Sequence, residues 1–156
     1  MAIREADMEL CAVRALRTAL WHSGLHVPEA TPFFLVGCTI LHMPRDLRTR
    51  HSGMHPATQL YYARNRKLHE VLAQLPRLPQ RSPRVVAFWC NAGEHRSVAC
   101  AELYAGSLAQ QGVPHELVHL CGEYWDRRGC GGCRECRAWA PERDEAQRLF
   151  DAALFS

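Results

Sequence analysis

The chain has 156 residues, 47% hydrophobic and 22% charged, which suits one soluble domain with a sizeable core. Apolar runs such as Phe33–Val36 and Val85–Trp89 fall far short of the roughly 20 residues a membrane span needs. Arg4, Glu5, Asp7 and Glu9 are wrong for a secretory signal, so a cytoplasmic protein with no membrane partner is expected.

The steps between Leu10, Val13, Leu16, Leu20 and Trp21 predict an amphipathic helix over Ile3–Ser23, stopped at Gly24. Pro28 to Pro32 is a connector, and Phe33–Leu41 reads as a short buried strand. The polar, Arg- and His-rich stretch Met43–Pro56 is a loop whose length points to function rather than mere connection. Helical spacing returns over Gln59–Leu75 through Leu60, Leu68, Val71, Leu72 and Leu75. The prolines of Pro76–Pro83 then enforce a loop. Arg84–Cys90 predicts a strand, Ser97–Gln111 a helix ended by Gly112 and Pro114, and His115–Leu120 another strand. A Cys-rich segment follows, and Pro141–Phe155 closes the chain as a helix with proline at its favoured first position. Strands separated by helices predict an α/β fold, a three-layer sandwich with a small, mainly parallel sheet and a Cys-rich C-terminal segment. All of it reads as a single domain over 1–156, with a zinc-binding insertion at 121–137.

Charge adds a hint about ligands. Nineteen Lys and Arg against sixteen Asp and Glu leave +3, and Lys67 is the only lysine. Arginine suits bidentate recognition of phosphate or carboxylate, although coding bias produces the same excess.

The most informative stretch is Cys90-Asn91-Ala92-Gly93-Glu94-His95-Arg96-Ser97. It leaves a strand and enters a helix, where free N–H groups and the helix dipole favour an anion. Gly93 permits a tight turn and close approach to a ligand. Arg96 can grip two oxygens of one phosphate, and Ser97 can cap the helix or bond the Cys90 sulfur. His95, inside the turn, is expected to orient the loop rather than act as a base. Arg45 and Arg48 could supply a second set of phosphate contacts or simply be solvated. The bland alternative for the whole stretch is a tight strand-to-helix turn in which Cys90 is a small buried residue.

C-x-x-G-x-x-R-S is also the signature of cysteine-dependent phosphatases, in which the thiolate attacks phosphorus and the arginine holds the equatorial oxygens. On that reading Cys90 and Arg96 are catalytic. Trp89 stands where such enzymes usually carry His, and Asp46 or Asp126 would have to serve as general acid.

The eight cysteines divide unevenly. Cys11, Cys38, Cys90 and Cys100 are scattered, whereas Cys121, Cys130, Cys133 and Cys136 lie close together. Cys130-Gly-Gly-Cys133-Arg-Glu-Cys136 spaces three thiols as metal ligands, with glycines that let the chain fold around an ion. Cys121 is the expected fourth ligand of a structural zinc site, and His119 or His115 could replace it. Iron–sulfur ligation and free or redox thiols are the alternatives.

The stretch Val86–Leu103, with its C-x-x-G-x-H-R-S-V core and following Ala101-Glu102-Leu103, resembles the C-terminal domain of the RNase adapter protein RapZ family. Upstream, Leu41, Pro44, Arg45, Leu47, Arg48, Ser52 and Gly53 fit the order of that family's D-x-R-x-x-x-x-P, L-R and T/S-G-x-D elements. Gly37 and Thr39 stand in place of its Asp and Arg, and His55 in place of the turn's Asp. The resemblance covers roughly residues 33–119. It implies a non-catalytic regulatory domain that binds a phosphosugar, glucosamine-6-phosphate in the bacterial adapter.

Two functions from different classes therefore follow. One is a phosphate- or phosphosugar-binding domain using residues 90–97 with Arg45 and Arg48. The other is a phosphatase with Cys90 as nucleophile. A phosphorylated small molecule is the expected partner; self-association as a homo-oligomer is open, and an RNA or protein partner has no support in the sequence. The RNA reading has no base-stacking motif behind it.

Overall fold

The computed structural model describes residues 5–42 (5–8 by backbone alone), 44, 51–77, 79, 81–122, 130 and 133–156. Arg45, Arg48, Asp46 and Asp126 lie outside the described residues. The elements are α1 (Glu5–His22), β1 (Phe33–Gly37), α2 (Pro56–Ala63), α3 (Leu68–Leu72), β2 (Val85–Trp89), α4 (Arg96–Gln110), α5 (Arg134–Arg137) and α6 (Pro141–Leu154). The chain is thus α/β, with helices around a small parallel sheet and a Cys-rich C-terminal region. Among the described residues, no helix is long and apolar enough to cross a membrane.

The two long N-terminal and central helices end by the same local chemistry. Gly24 takes φ 86° and Gly112 φ 64°, a left-handed conformation open to glycine without a Cβ penalty. After α1, the Gly24 amide bonds Trp21 O and the Leu25 amide bonds Leu20 O, both at 2.9 Å. After α4, Gly112 and Val113 repeat the pattern on Ala109 O and Leu108 O. Each pair of bonds satisfies carbonyls that the helix leaves open. Arg17 of α1 then fastens the connector, donating to Val27 O at 2.9 Å, Pro28 O at 3.0 Å and Glu29 O at 3.0 Å. Its guanidinium lies 4.8 Å from the centre of the Phe33 ring, which sets the start of β1 against the helix.

β1 and β2 run parallel, with Phe33 opposite Val85 and Gly37 opposite Trp89. β1 stops at Gly37 instead of reaching Leu41. Gln74 occupies both backbone groups of Gly37, its Oε1 accepting from the amide at 2.9 Å and its Nε2 donating to the carbonyl at 3.0 Å. The chain then turns, with the Leu41 amide on Cys38 O.

The single helix expected over Gln59–Leu75 is two. Pro56 opens α2, and the His55 ring nitrogen caps it by accepting from the Ala57 amide at 3.2 Å. Asn65 interrupts the path: its side-chain oxygen accepts from the Lys67 amide at 2.9 Å, a local bond that competes with helix. The break lets both α2 and α3 pack on α6.

The core gathers Val36, Leu41, Tyr62, Val71, Leu103 and Phe150, among others, from the strands and from α2, α3, α4 and α6. Gln147 ties α6 to α4 by donating to Leu103 O at 2.9 Å and Ser107 Oγ at 3.0 Å. Ser107 in turn donates to the Asp151 carboxylate. Residues 115–120, expected to be a strand, join no ladder, and among the described residues the sheet has two strands. Leu117 and its neighbours face β2 across cavities lined by Val86 and Phe88 instead of bonding to it.

Candidate functional site

The loop from Cys90 to His95 joins the end of β2 to the start of α4. Gly93 turns it at φ 60°. No side chain caps α4; His95 holds the cap position without such a bond, and the helix begins at Arg96. Ser97 takes the other of its two expected roles, its hydroxyl lying 3.2 Å from the Cys90 sulfur. Burial pushes the Cys90 thiol up, but hydrogen bonds from the Ser97 hydroxyl and from the Ser97, Gly93 and Ala92 amides outweigh it and leave the thiol below its ordinary value. Those groups act on one sulfur, so this end of the loop favours negative charge.

Arg96 reaches backward from the loop. Its Nη1 donates to Thr39 O at 2.9 Å and Leu41 O at 3.4 Å, which ties the loop to the turn after β1. His95 is almost fully buried, and its Nδ1 is 3.9 Å from the Glu94 carboxylate. Tyr62 packs behind the loop, near enough for the charges of Arg96 and Cys90 to act on its hydroxyl, which burial pushes well up. That hydroxyl is buried and has no hydrogen-bond partner among the described residues.

A cavity of about 460 Å³ reaches the loop and is bordered there by Cys90, Gly93, Ser97 and Cys121. Cys121, the expected fourth metal ligand, therefore sits elsewhere. Its sulfur packs on Gly93, where an added Cβ would stand only 2.8 Å away. His119 bonds the Glu102 carboxylate at 2.7 Å, and the His115 ring contacts Val113 O at 2.9 Å.

The other three clustered cysteines do come together, and the fourth donor is His51. Their ligand atoms all lie within 4.8 Å of one another. The Cys130 and Cys136 sulfurs are 3.5 Å apart, and His51 Nδ1 is 3.5 Å from Cys133 and 3.6 Å from Cys136. Tetrahedral zinc, with bonds of about 2.3 Å to sulfur and 2.0–2.1 Å to nitrogen, requires edges of about 3.5–3.8 Å, so the group can hold a metal ion and is compatible with zinc.

Around these donors the chain supplies a supporting shell. His51 Nε2 is 3.2 Å from the Glu135 carboxylate, which orients the ring so that Nδ1 faces the thiols. The His55 ring stacks on that of His51 with centres 4.3 Å apart. Burial, together with Cys130 and Cys133 alongside, pushes the Cys136 thiol well up. Three thiols this close resist ionising together, and a bound cation is what reverses that preference. Arg143 of α6 closes the far side, donating to Cys136 O at 2.8 Å and Met54 O at 3.0 Å.

None of the eight cysteines, all of them described, is disulfide-bonded. Cys38 and Cys100 belong to the core; a hydrogen bond to Cys38 and burial push the Cys100 thiol well up. His51 escaped the sequence reading because it precedes Cys133 by 82 residues. Its only signal was the His51–His55 spacing inside the long polar loop. Compared with known proteins, the chain matches no family model, no curated protein and no solved structure.

Proposed function

We propose that this protein binds a phosphorylated small molecule, a phosphosugar by its resemblance to the RapZ C-terminal domain, through the loop from Cys90 to Ser97. The observation that carries this reading is the convergence of the Ala92, Gly93 and Ser97 amides and the Ser97 hydroxyl at the start of a 15-residue helix. Donors arranged in this way stabilise an anion whether it is a thiolate or a phosphate oxygen. Arg96 holds the loop in shape through Thr39 and Leu41, and the other end of its fork is the candidate phosphate contact. A single zinc ion, held by Cys130, Cys133, Cys136 and His51, acts as a structural staple between the loop before α2 and the start of α6. The close spacing of all four donors favours one ion over an iron–sulfur cluster, in which the ligands are divided over two or more irons.

A second reading is favoured by the lowered Cys90 thiol. A thiolate at that sulfur is the nucleophile a cysteine-dependent phosphatase needs, with Arg96 holding the equatorial oxygens. One set of experiments separates the two. Thermal shift against inorganic phosphate, phosphosugars and nucleotides is run on wild type, Cys90→Ser and Arg96→Ala, beside a p-nitrophenyl phosphate turnover assay. Stabilisation kept by Cys90→Ser and lost by Arg96→Ala, without turnover, supports the binder. Turnover that disappears in Cys90→Ser supports the phosphatase. No response to any phosphate compound sinks both.

A further inference from the structure

The metal group and the anion loop are held by one short strap, residues 51–55. At its first position His51 faces Cys133 and Cys136. Two residues on, the Gly53 amide donates to Glu94 O, inside the anion loop, at 2.8 Å. The approach there is so close that a Cβ on Gly53 would overlap the His95 carbonyl oxygen and the Ala99 amide nitrogen, and would stand 2.9 Å from Val98 Cβ. Ser52, between the two, is fully buried, and its hydroxyl accepts from the Met54 amide at 3.2 Å. At the last position His55 caps α2 and lies 3.7 Å from Glu135, the same carboxylate that faces His51. Arg143 locks the strap to the cysteine segment by bonding both Met54 O and Cys136 O.

From this shared strap we infer that metal occupancy and phosphate binding are coupled: the metal centre sets the shape of the anion loop, and phosphate in the loop tightens the hold on the metal. The inference rests on both the phospholigand and the zinc readings above. Without an ion, three thiols and an imidazole lose their common partner, and His51 is held only by the Glu135 carboxylate and the stacked His55 ring. The strap is only two residues from His51 to the bond on Glu94, too short to absorb a displacement. Glu94 lies within the run of amides that defines the cradle, so movement there misaligns donors that must converge. The effect must also run in reverse, since coupling between two binding equilibria is reciprocal.

The experiment uses the full chain loaded with one equivalent of zinc. Zinc affinity is measured by competition with a fluorescent chelator, with and without saturating inorganic phosphate, after subtracting the chelator's own response to phosphate. Phosphate affinity is measured by calorimetry on zinc-loaded and zinc-stripped protein. The expected shift is on the order of tenfold in each direction and equal in both, within the range typical of coupled sites. Arg96→Ala, which leaves the cysteine group untouched, abolishes the effect of phosphate on zinc. The chelator arm needs no metal-free protein, so it decides the matter even if the stripped chain unfolds. Phosphate that binds the zinc-loaded protein yet leaves zinc affinity unchanged overturns the coupling and spares the phospholigand reading. Zinc-loaded protein that binds no phosphate overturns that reading and the coupling with it, and a chain that takes up no zinc overturns the metal reading likewise.

Discussion

Replacing Gly53 with alanine adds one methyl group where two backbone atoms already stand. The His95 carbonyl oxygen and the Ala99 amide nitrogen, which it would overlap, are themselves joined at 2.8 Å by the first hydrogen bond of α4. Neither can swing aside like the end of a long side chain. The strap must instead lift by about 1 Å to restore ordinary contact distances. That movement takes the 2.8 Å bond from Gly53 to Glu94 O beyond hydrogen-bonding range. Overpacking contributes about 1–3 kcal/mol of destabilisation and the lost bond about 0.5–1.5 kcal/mol, while the stiffer unfolded chain returns about 0.4–1 kcal/mol. The expected net loss is about 2 kcal/mol. Urea unfolding of zinc-loaded protein, followed by circular dichroism, reads it as a lower midpoint at unchanged slope. Gly24→Ala is the reference, because nothing lies within 4 Å of a Cβ there and its φ of 86° is the sole source of strain. That strain is worth about 1 kcal/mol. A Gly53→Ala loss no larger than that of Gly24→Ala would refute the close seating of the strap on the loop.

Three further outcomes are expected. The lowered Cys90 thiol is alkylated by iodoacetamide faster than exposed Cys11 at pH 7, and inorganic phosphate protects it. Because its folded value lies below that of the unfolded chain, the stabilisation it supplies is complete above about pH 8.5 and is lost as pH falls through the lowered value. The stability gap between wild type and Cys90→Ser, measured by urea titration across that range, therefore narrows on acidification; a constant gap contradicts the amide cradle. Cys121→Ser leaves zinc content at one per chain, His51→Ala weakens zinc binding, and Glu135→Gln weakens it by about tenfold, as read by chelator competition. Equal zinc loss in Cys121→Ser and His51→Ala would overturn the choice of fourth ligand. Tyr62→Phe leaves the unfolding free energy unchanged or raises it by about 1 kcal/mol, because it removes a buried hydroxyl whose desolvation no partner among the described residues offsets. A loss above about 1 kcal/mol would reveal a bond to that hydroxyl.

What could be read from sequence was whatever depends on near neighbours. Gly24 and Gly112 stop their helices through bonds that span a few residues, and the strand, loop and helix around Cys90 form one continuous stretch. Pro141 opens α6 where proline is favoured. The reading failed where one pattern served two structures. Leucines keep helical spacing on both sides of Asn65, so periodicity could not register that an Asn side chain breaks the helix between them. Residues 115–120 place Leu117, Val118 and Leu120 in a short apolar run that suits a strand, yet a strand also requires a partner's free edge at the right distance. The metal group shows the same limit most plainly. Cysteine spacing located three of the four candidate donors, but local proximity then nominated Cys121, which folds onto Gly93 while a distant histidine completes the group.

The side-chain amide of Gln74 on Gly37 bears on how this protein behaves in concentrated solution. A two-stranded parallel sheet exposes a row of donors and acceptors along its outer side, and another molecule can add a strand there. Gln74 presents its own acceptor to the Gly37 amide and its own donor to the carbonyl, copying what an incoming strand would offer. At that end of β1 the template is already filled from within the same chain. The residue therefore blocks edge-to-edge pairing at that position at little expense, since one amide satisfies both backbone groups.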